Sequence, residues 1–143
     1  MKAESNIGGL LGKSARLLSN KFNSDLVHLG ITVEQWTLLA TLWTKDHQNQ
    51  KALQVSLLKD KASINSLLKY LIQGGFVSKV QDKQDKRSYI VSLTDKGREI
   101  QKSSIPIAMQ NIGIATEGIE AKDLAICVEV LTQIILNLTK ENK

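Results

Sequence analysis

The 143-residue sequence has one cysteine, one proline, six aromatic residues and no long hydrophobic run. The lack of a second cysteine and the lack of a long hydrophobic run each exclude a class of protein. Cys127 alone cannot form an internal disulfide, which suits a reducing cytosol. The longest apolar stretches, such as residues 124–128, span about five residues, whereas a membrane-spanning helix needs about 20. The N-terminal residues include an acidic side chain and continue into amphipathic sequence, so we expect no signal peptide. These features predict a cytoplasmic protein without a membrane partner.

Residue patterns that support catalysis or metal binding are equally scarce. The two histidines, His28 and His47, have no partners at the spacing of a metal site. The sequence contains no glycine-rich phosphate loop and no nucleophile elbow. We therefore expect no enzymatic activity, no catalytic residue, no metal site and no cofactor.

The net charge of +5 is unevenly distributed along the chain. Residues 45–102 contain twelve Lys or Arg and six Asp or Glu, a net charge of +6, while the rest of the chain carries −1. A localised face that binds a polyanion would produce this distribution. Lysine-rich solvated loops can produce it by chance, so the charge alone leaves both interpretations open.

Apolar residues that recur at three- and four-residue steps predict a mainly helical chain. Long amphipathic helices are expected at about residues 5–28 and 120–140, and the second has a wide apolar face suited to packing against a partner helix. Thr32 and Gln35 form a capping box that opens a short apolar helix. Residues 46–50 are polar and predict a loop.

Two further helices follow, joined by a short turn. The first, at about residues 51–58, is expected to place three leucines inward: Leu53, Leu57 and Leu58. Asp60 offers an N-cap for the second, residues 61–73. Its apolar residues at i, i+3, i+4 and i+7 predict a buried stripe: Ile64, Leu67, Leu68 and Leu71. The opposite face has no acidic residue and consists of Ala62, Asn65, Ser66, Lys69 and Gln73.

A β-hairpin with a charged tip is predicted after Gly74-Gly75, which ends that helix because glycine tolerates a left-handed C-cap. Strand-like runs occupy residues 76–81 and 88–94, and the linker between them is 82-DKQDKR-87. The second run alternates apolar and polar residues as a half-buried strand does.

Thr94 and Asp95 then cap another helix, in which Pro106 predicts a kink. The order of four helices, a hairpin and two helices predicts a mainly α fold with a small β-hairpin. Its core is a winged helix-turn-helix at about residues 32–97. We expect residues 1–143 to form a single domain.

The helix at residues 61–73 can act as a recognition helix for double-stranded DNA, because its small, acid-free outer face fits the major groove. Asn65 can form two hydrogen bonds with adenine, Ser66 can bond donors or acceptors, and Ala62 can meet a thymine methyl. Lysines are expected to contact phosphates and so fix the register. The residues assigned to DNA binding on this helix are Lys61, Ala62, Ser63, Asn65, Ser66 and Lys69. The alternative is that these are ordinary exposed helix residues.

The hairpin tip can act as the wing. Lys83, Lys86 and Arg87 cluster there, and an arginine can reach into the narrow minor groove. Asp82 or Asp85 can hold the guanidinium in a fixed pose by a bidentate bond, which lowers the ordering cost of binding. Taken alone, the tip would be read as a solvated turn of mixed charge.

The stretch from Ile31 to Gly97 resembles the MarR family of bacterial transcription regulators, named for multiple antibiotic resistance. The resemblance is carried by 31-ITVEQWTLLATL-42, 60-DKASINSLLKYLIQGGFVSK-79, 85-DKR-87 and 91-VSLTDKG-97. It implies a homodimer in which the first and last helices interlock as dimerisation helices. Each subunit would bind one half of a pseudo-palindromic operator. The resemblance also assigns the wing arginine to Arg87 and its orienting aspartate to Asp85.

The sequence departs from that family's pattern at two places. Glycine is common in the turn before the recognition helix, where this chain has 57-LLKD-60. A basic residue is common at the position of Ser66. The second departure puts the operator sequence in doubt more than DNA binding itself.

The resemblance also implies a switch, since many members release DNA when a small phenolic or lipophilic molecule enters a cleft beside the winged domain. Arg16, Asn20, His28 and Trp36 are candidates to line this cleft, because they combine an anion-binding group with an aromatic wall. The alternatives are a core role for Trp36 and a helix-end role for His28. Cys127 is expected to be buried among apolar neighbours and therefore structural rather than redox-active.

Together these patterns predict a sequence-specific double-stranded DNA-binding transcription regulator, a homodimeric repressor that responds to a small aromatic or lipophilic effector. The competing hypothesis is a helical dimeric module that binds small molecules or proteins and does not bind DNA. The lack of a basic residue at Ser66 keeps that hypothesis open.

Overall fold

The structure, a computed structural model, describes residues 6–140. Its elements are α1 (Ile7–Leu26), a 3-10 helix (Val27–Leu29), α2 (Val33–Thr44), β1 (Gln48–Asn49), α3 (Gln50–Leu57), α4 (Lys61–Gln73), β2 (Val77–Gln81), β3 (Tyr89–Leu93), α5 (Asp95–Ala115) and α6 (Ala121–Lys140). The chain divides after Met109 into two compact units. The predicted fold class, mainly helical with a winged helix-turn-helix, is confirmed.

The helix expected at residues 5–28 corresponds to α1 and the 3-10 turn, although residue 5 lies outside the described residues. Gly30 ends this segment at φ 75°, a left-handed conformation that glycine adopts without steric cost. The capping box at the start of α2 is confirmed. The N–H of Gln35 donates to Oγ1 of Thr32 at 3.2 Å, and the N–H of Thr32 donates to Oε1 of Gln35 at 3.0 Å.

Helix α4 begins and ends where the sequence predicted. Asp60 accepts a hydrogen bond from the N–H of Ser63 at 2.7 Å and so caps the first turn. The predicted apolar stripe is buried: Ile64, Leu67, Leu68 and Leu71. At the C-terminus it is Gly75 that has a positive φ, of 80°, while Gly74 remains in the helical region.

The turn between α3 and α4 corrects one expectation. Leu58 was expected to point inward, but it is 64% exposed. It caps α3 in the left-handed region at φ 53°, and its N–H donates to carbonyls of the preceding turn. The left-handed backbone turns the Leu58 side chain away from the core. Of the other two leucines, Leu53 is buried and Leu57 is partly buried.

The predicted hairpin is β2 and β3, and it gains a third strand that the sequence did not indicate. Strand β1 lies within the expected loop at residues 46–50 and pairs antiparallel with β3, which gives the order β1-β3-β2. Asp46 precedes β1, and its Oδ1 accepts the N–H of Leu93 at 2.9 Å. Side-chain hydrogen bonding thus directs this polar segment onto the edge of β3.

The core of the first unit forms where α2, α4 and β3 meet. Its buried residues are Leu26, Ile31, Leu38, Leu39, Leu42, Leu53, Ile64, Leu67, Leu68, Leu71, Phe76, Val77, Val91 and Leu93. Each fully buried leucine contributes about 1.5–3 kcal/mol relative to exposure. This core fixes α4 and the sheet in one framework, so the outer face of α4 is presented on a rigid support.

The start of α5 shows why residues 93–97, Leu-Thr-Asp-Lys-Gly, occur in this order. Oγ1 of Thr94 accepts the N–H of Gly97 at 3.1 Å, as an N-cap does, and Asp95 is the first helical residue. A Cβ added at Gly97 would lie 2.1 Å from the carbonyl oxygen of Phe76, so only glycine allows this close approach. Helix α5 continues through Pro106 to Ala115.

Helix α6 in the second unit exposes much of its apolar surface. No described residue of α6 is buried, and Cys127 is exposed. The expected burial of Cys127 is therefore wrong for the single chain. Its apolar neighbours Ile126, Val128 and Leu131 are exposed as well. Within residues 6–140, no helix combines the length and hydropathy that crossing a membrane requires.

Candidate nucleic-acid interface

The outer face of α4 is solvent-accessible along its length. Five of the six residues assigned to DNA binding on this helix are exposed: Lys61, Ala62, Asn65, Ser66 and Lys69. Ser63 is half-buried, and its N–H is used by the Asp60 cap. The face therefore offers two cationic ends and a small polar centre, with no acidic residue among its exposed side chains.

Asn65 has a hydrogen-bond partner that the sequence analysis missed. The side-chain Nε2 of Gln50, the first residue of α3, donates to Oδ1 of Asn65. The two residues are fifteen positions apart on different helices, so no local pattern signals the pair. In this contact the oxygen end of the Asn65 amide faces Gln50.

The N-terminus of α4 is held by charged contacts. The pKa of Asp60 lies below the 3.8 of an ordinary aspartate. The main cause is the hydrogen bond from the backbone N–H of Ser63, and the second is the hydrogen bond from the Ser63 hydroxyl. The neighbouring ammonium of Lys59 lowers this pKa as well. Lys59 also lies 3.6 Å from a carboxylate oxygen of Glu34, which links the turn to the start of α2. The helix end is thus capped by a carboxylate that is ionised at neutral pH.

The wing tip is shaped by its aspartates. The N–H of Asp82 donates to the carbonyl of Ser88, and the N–H of Ser88 donates to the carbonyl of Asp85, both at 2.9 Å. Oδ1 of Asp85 accepts the backbone N–H of Arg87 at 3.1 Å. Asp82 similarly accepts the N–H of Gln84 at 2.9 Å. Both acidic residues therefore act as turn-forming groups.

The Arg87 side chain extends into solvent. It is 95% exposed, and its Nε lies 3.7 Å from Oδ1 of Asp85. This is a single long ion pair rather than the bidentate bond that the sequence suggested, and the same oxygen also accepts the Arg87 backbone N–H. Lys83 and Lys86 are exposed beside it. The wing thus presents three cationic side chains on a hydrogen-bonded turn.

The four candidate effector residues differ in their exposure. Arg16, Asn20 and His28 are exposed. Trp36 is half-buried and makes edge-to-face contacts at 5.0 Å with Phe22 and 5.7 Å with Trp43. Its Nε1 donates to Oγ of Ser104 at 2.8 Å. Trp36 therefore already has core contacts, and the effector role of the four residues stays a prediction.

A surface pocket of about 310 Å³ lies at the start of α2. It is lined by Ser19, Asn23, Thr32, Val33 and Glu34. None of the four candidate effector residues lines it. Oδ1 of Asn23 accepts the N–H of Val33 at 2.8 Å, which ties α1 to α2 across this pocket. Over the part of the chain that the structure describes, no three His, Cys, Asp or Glu side chains come together as metal ligands would.

Comparison with known proteins finds matches that cover most of the chain. The family model described as transcriptional regulator SarA/Rot matches residues 21–103. The organic hydroperoxide resistance transcriptional regulator of Bacillus subtilis is 26% identical over 142 residues, which cover 99% of this chain and 95% of that protein.

Solved structures agree along almost the whole chain. A MarR protein from Peptoclostridium difficile superposes with a TM-score of 0.91 at 27% identity, covering 99% of this chain and 93% of that one. A MarR transcriptional regulator from Methanosarcina mazei superposes with a TM-score of 0.88 at 25% identity, covering 95% and 98%. The MarR resemblance inferred from the sequence is confirmed by these matches.

Proposed function

The chain belongs to the SarA/Rot family of transcriptional regulators, and from that membership we propose that it is a homodimeric repressor that binds a pseudo-palindromic operator in double-stranded DNA. The observation that carries the proposal is the pairing, within one compact unit, of an acid-free exposed face on α4 with an exposed cationic wing. The proposed setting is the cytoplasm, and the assignment of residues 1–143 to one MarR-like domain stays a prediction.

Base reading is proposed for the centre of the α4 face. Asn65 hydrogen-bonds adenine through its amide, Ser66 bonds a neighbouring base edge, and Ala62 contacts a thymine methyl. Lys61 and Lys69, at the two ends of the face, bind phosphates and set the register without reading sequence. This division follows from the exposure of all five side chains and from their order along the helix.

Minor-groove binding is proposed for the wing. Arg87 enters the groove, where the negative potential is enhanced, and Lys83 and Lys86 contact the flanking phosphates. The support is the 95% exposure of the Arg87 side chain on a turn that Asp85 stabilises through the backbone. A pre-formed turn reduces the conformational entropy lost when the wing is ordered on DNA.

Dimerisation is proposed for the apolar surface of α6, with α1 as its companion helix. Side chains at least about half exposed on α6 include Ile126 at 56%, Val128 at 63%, Leu136 at 55% and Leu138 at 59%. Exposed apolar surface on this scale in a soluble protein marks an interaction site. A second copy would cover it, and the two recognition helices would then read half-sites about 10 base pairs apart or a multiple of that.

Effector binding is the last part of the proposal. Arg16, Asn20, His28 and Trp36 remain the candidate residues for a small aromatic or lipophilic effector that releases the DNA. An effector can act only if it binds the DNA-free conformation more tightly than the DNA-bound one. Titrating salicylate as a probe into the protein–DNA complex tests this, and an unchanged DNA affinity at saturating probe would argue against a phenolic effector.

The central experiment selects duplexes from a random pool with purified protein and then measures affinity by fluorescence titration at two salt concentrations. We expect enrichment of an inverted repeat and a loss of affinity of roughly 0.9 log units per log unit of salt for each phosphate contact. Arg87→Ala should weaken binding to all duplexes, whereas Asn65→Ala should relax preference at one base position in each half-site.

Lys21→Ala is the matched control for Arg87→Ala, because it also removes one positive charge but lies on α1, where Lys21 pairs with Asp25 at 3.1 Å. It should leave DNA affinity almost unchanged. Little affinity for any duplex and no salt dependence in the unmodified protein would instead favour the protein- or small-molecule-binding module.

A further inference from the structure

The contact between Gln50 and Asn65 joins the two helices of the helix-turn-helix at the centre of the proposed reading face. Gln50 is the first residue of α3, and its Nε2 donates to Oδ1 of Asn65. The residue before it, Asn49, is held twice. Its side chain accepts the N–H of Ala52 at 2.8 Å, and its backbone pairs with Ile90 in the sheet. The Gln50 side chain therefore extends from a backbone that these contacts of Asn49 hold in place.

The chemistry of a carboxamide makes this contact directional. One end of the Asn65 side chain is an acceptor with two lone pairs, and the other end carries two donors. An unrestrained exposed asparagine can turn its amide over and present either end to a base. With Gln50 donating to Oδ1, the oxygen lies toward α3 and the nitrogen lies away from it.

The remaining hydrogen-bonding capacity suits one base. Gln50 uses one lone pair of Oδ1, which leaves one lone pair and two N–H groups for the DNA. Adenine requires an acceptor for its N6 amino group and a donor for its N7, and this set supplies both. The order in which the Asn65 amide presents its acceptor and its donors to the base edge is then set by Gln50 of α3 rather than by Asn65 alone.

We propose that Gln50 is a positioning residue for base reading: it fixes the orientation of the Asn65 amide and thereby sharpens selectivity at one base position in each half-site. The proposal rests on the proposed DNA-binding function. Holding a side chain in its bound rotamer before binding saves the cost of ordering it, which corresponds to about two- to twelvefold in affinity for the base that needs this orientation.

The test compares four proteins in duplex selection and titration: the unmodified chain, Gln50→Met, Asn65→Ala and the double variant. Methionine keeps the length of the side chain and removes the donor. We expect Gln50→Met to lower the preference at the Asn65 base position about fivefold while leaving affinity for random duplex unchanged. In the Asn65→Ala background the same substitution should have no further effect, because Gln50 acts through Asn65.

Gln50→Glu provides a second variant with a different expected signature. A carboxylate only accepts, so the Asn65 amide must turn its nitrogen toward α3 and leave its oxygen outward. The preferred base at that position should then change, rather than merely become less selective, whatever the added negative charge does to overall affinity.

Three results would overturn the inference. An unchanged base preference in both Gln50 variants would mean that Asn65 needs no positioning. Equal weakening on all duplexes by Gln50→Met would make Gln50 a phosphate contact. Equal effects of Gln50→Met with and without Asn65 would uncouple the two residues. If the unmodified protein selects no sequence, the proposed DNA-binding function itself fails. This outcome is distinguishable from failure of the Gln50 proposal, because it is seen in the unmodified protein alone.

Discussion

Replacing Gly97 with alanine should destabilise the protein strongly, because the added methyl group would overlap atoms that are already in place. Its Cβ would lie 2.1 Å from the carbonyl oxygen of Phe76 and 3.2 Å from a methyl carbon of Leu93, whereas ordinary contact begins at 3.4 Å. The nearest atom belongs to the backbone, so no side-chain rotation can relieve the overlap. The start of α5 must instead move more than an ångström away from Phe76.

The size of the effect follows from what that movement disturbs. Overpacking of this kind costs about 1–3 kcal/mol. The Gly97 carbonyl accepts the indole N–H of Trp43 at 2.9 Å, and weakening this bond costs roughly another 1 kcal/mol. We expect a loss of about 3 kcal/mol, from a total stability of roughly 5–15 kcal/mol. For a chain of this size the melting temperature should fall by about 10 °C.

The assay is thermal unfolding followed by circular dichroism at one fixed protein concentration, because the melting temperature of an oligomer depends on concentration. Gly113→Ala is the matched control. It lies on the same helix, its added Cβ meets nothing within 4 Å, and alanine improves helix propensity by up to about 1 kcal/mol. A Gly97→Ala melting temperature within about 2 °C of the unmodified protein would refute the close-approach argument.

Three further perturbations test single features of the fold. Leu58→Gly should raise the free energy of unfolding in urea by about 1 kcal/mol, because glycine relieves the left-handed strain at φ 53°. Leu58→Ala keeps the Cβ and should bring no gain. Equal gains for the two variants would contradict the argument. The pKa of Asp60 is lowered in the folded state, so the stability it contributes is present above pH 3.8 and is lost as the pH falls through the lower folded pKa. The unfolding midpoints of the unmodified protein and Asp60→Ala should therefore differ at neutral pH and converge in acid, and a constant difference would count against the cap. Ser104→Ala should lower the free energy of unfolding by about 1–2 kcal/mol, because it leaves the half-buried indole N–H of Trp36 without its acceptor. In a double-mutant cycle, this loss should vanish in the Trp36→Phe background.

Sequence patterns predicted α4 to the residue because every signal that defines it is local. The cap at Asp60, the apolar stripe and the glycine pair all lie within sixteen consecutive positions, and the exposed face follows from helical periodicity alone. The capping box of α2 was found for the same reason.

Features that depend on distant partners were missed or misread. Strand β1 has two residues and forms only because β3, some forty positions later, offers an edge. The Gln50–Asn65 pair requires the packing of two helices to be known. Cys127 was expected to be buried because its neighbours in sequence are apolar, but burial needs an opposing surface, and the single chain does not supply one.

The three-stranded sheet has a consequence for how the two proposed DNA contacts combine. Asn49 belongs to β1 and also caps α3, while β3 leads directly from the wing, so the sheet connects the wing to the helix pair. On a duplex the two proposed contacts would act as two linked binding sites, or arms. Once one arm is bound, the other is held at a high effective concentration beside its own groove. A duplex offering only one of the two grooves should therefore lose more affinity than the missing contacts alone would account for.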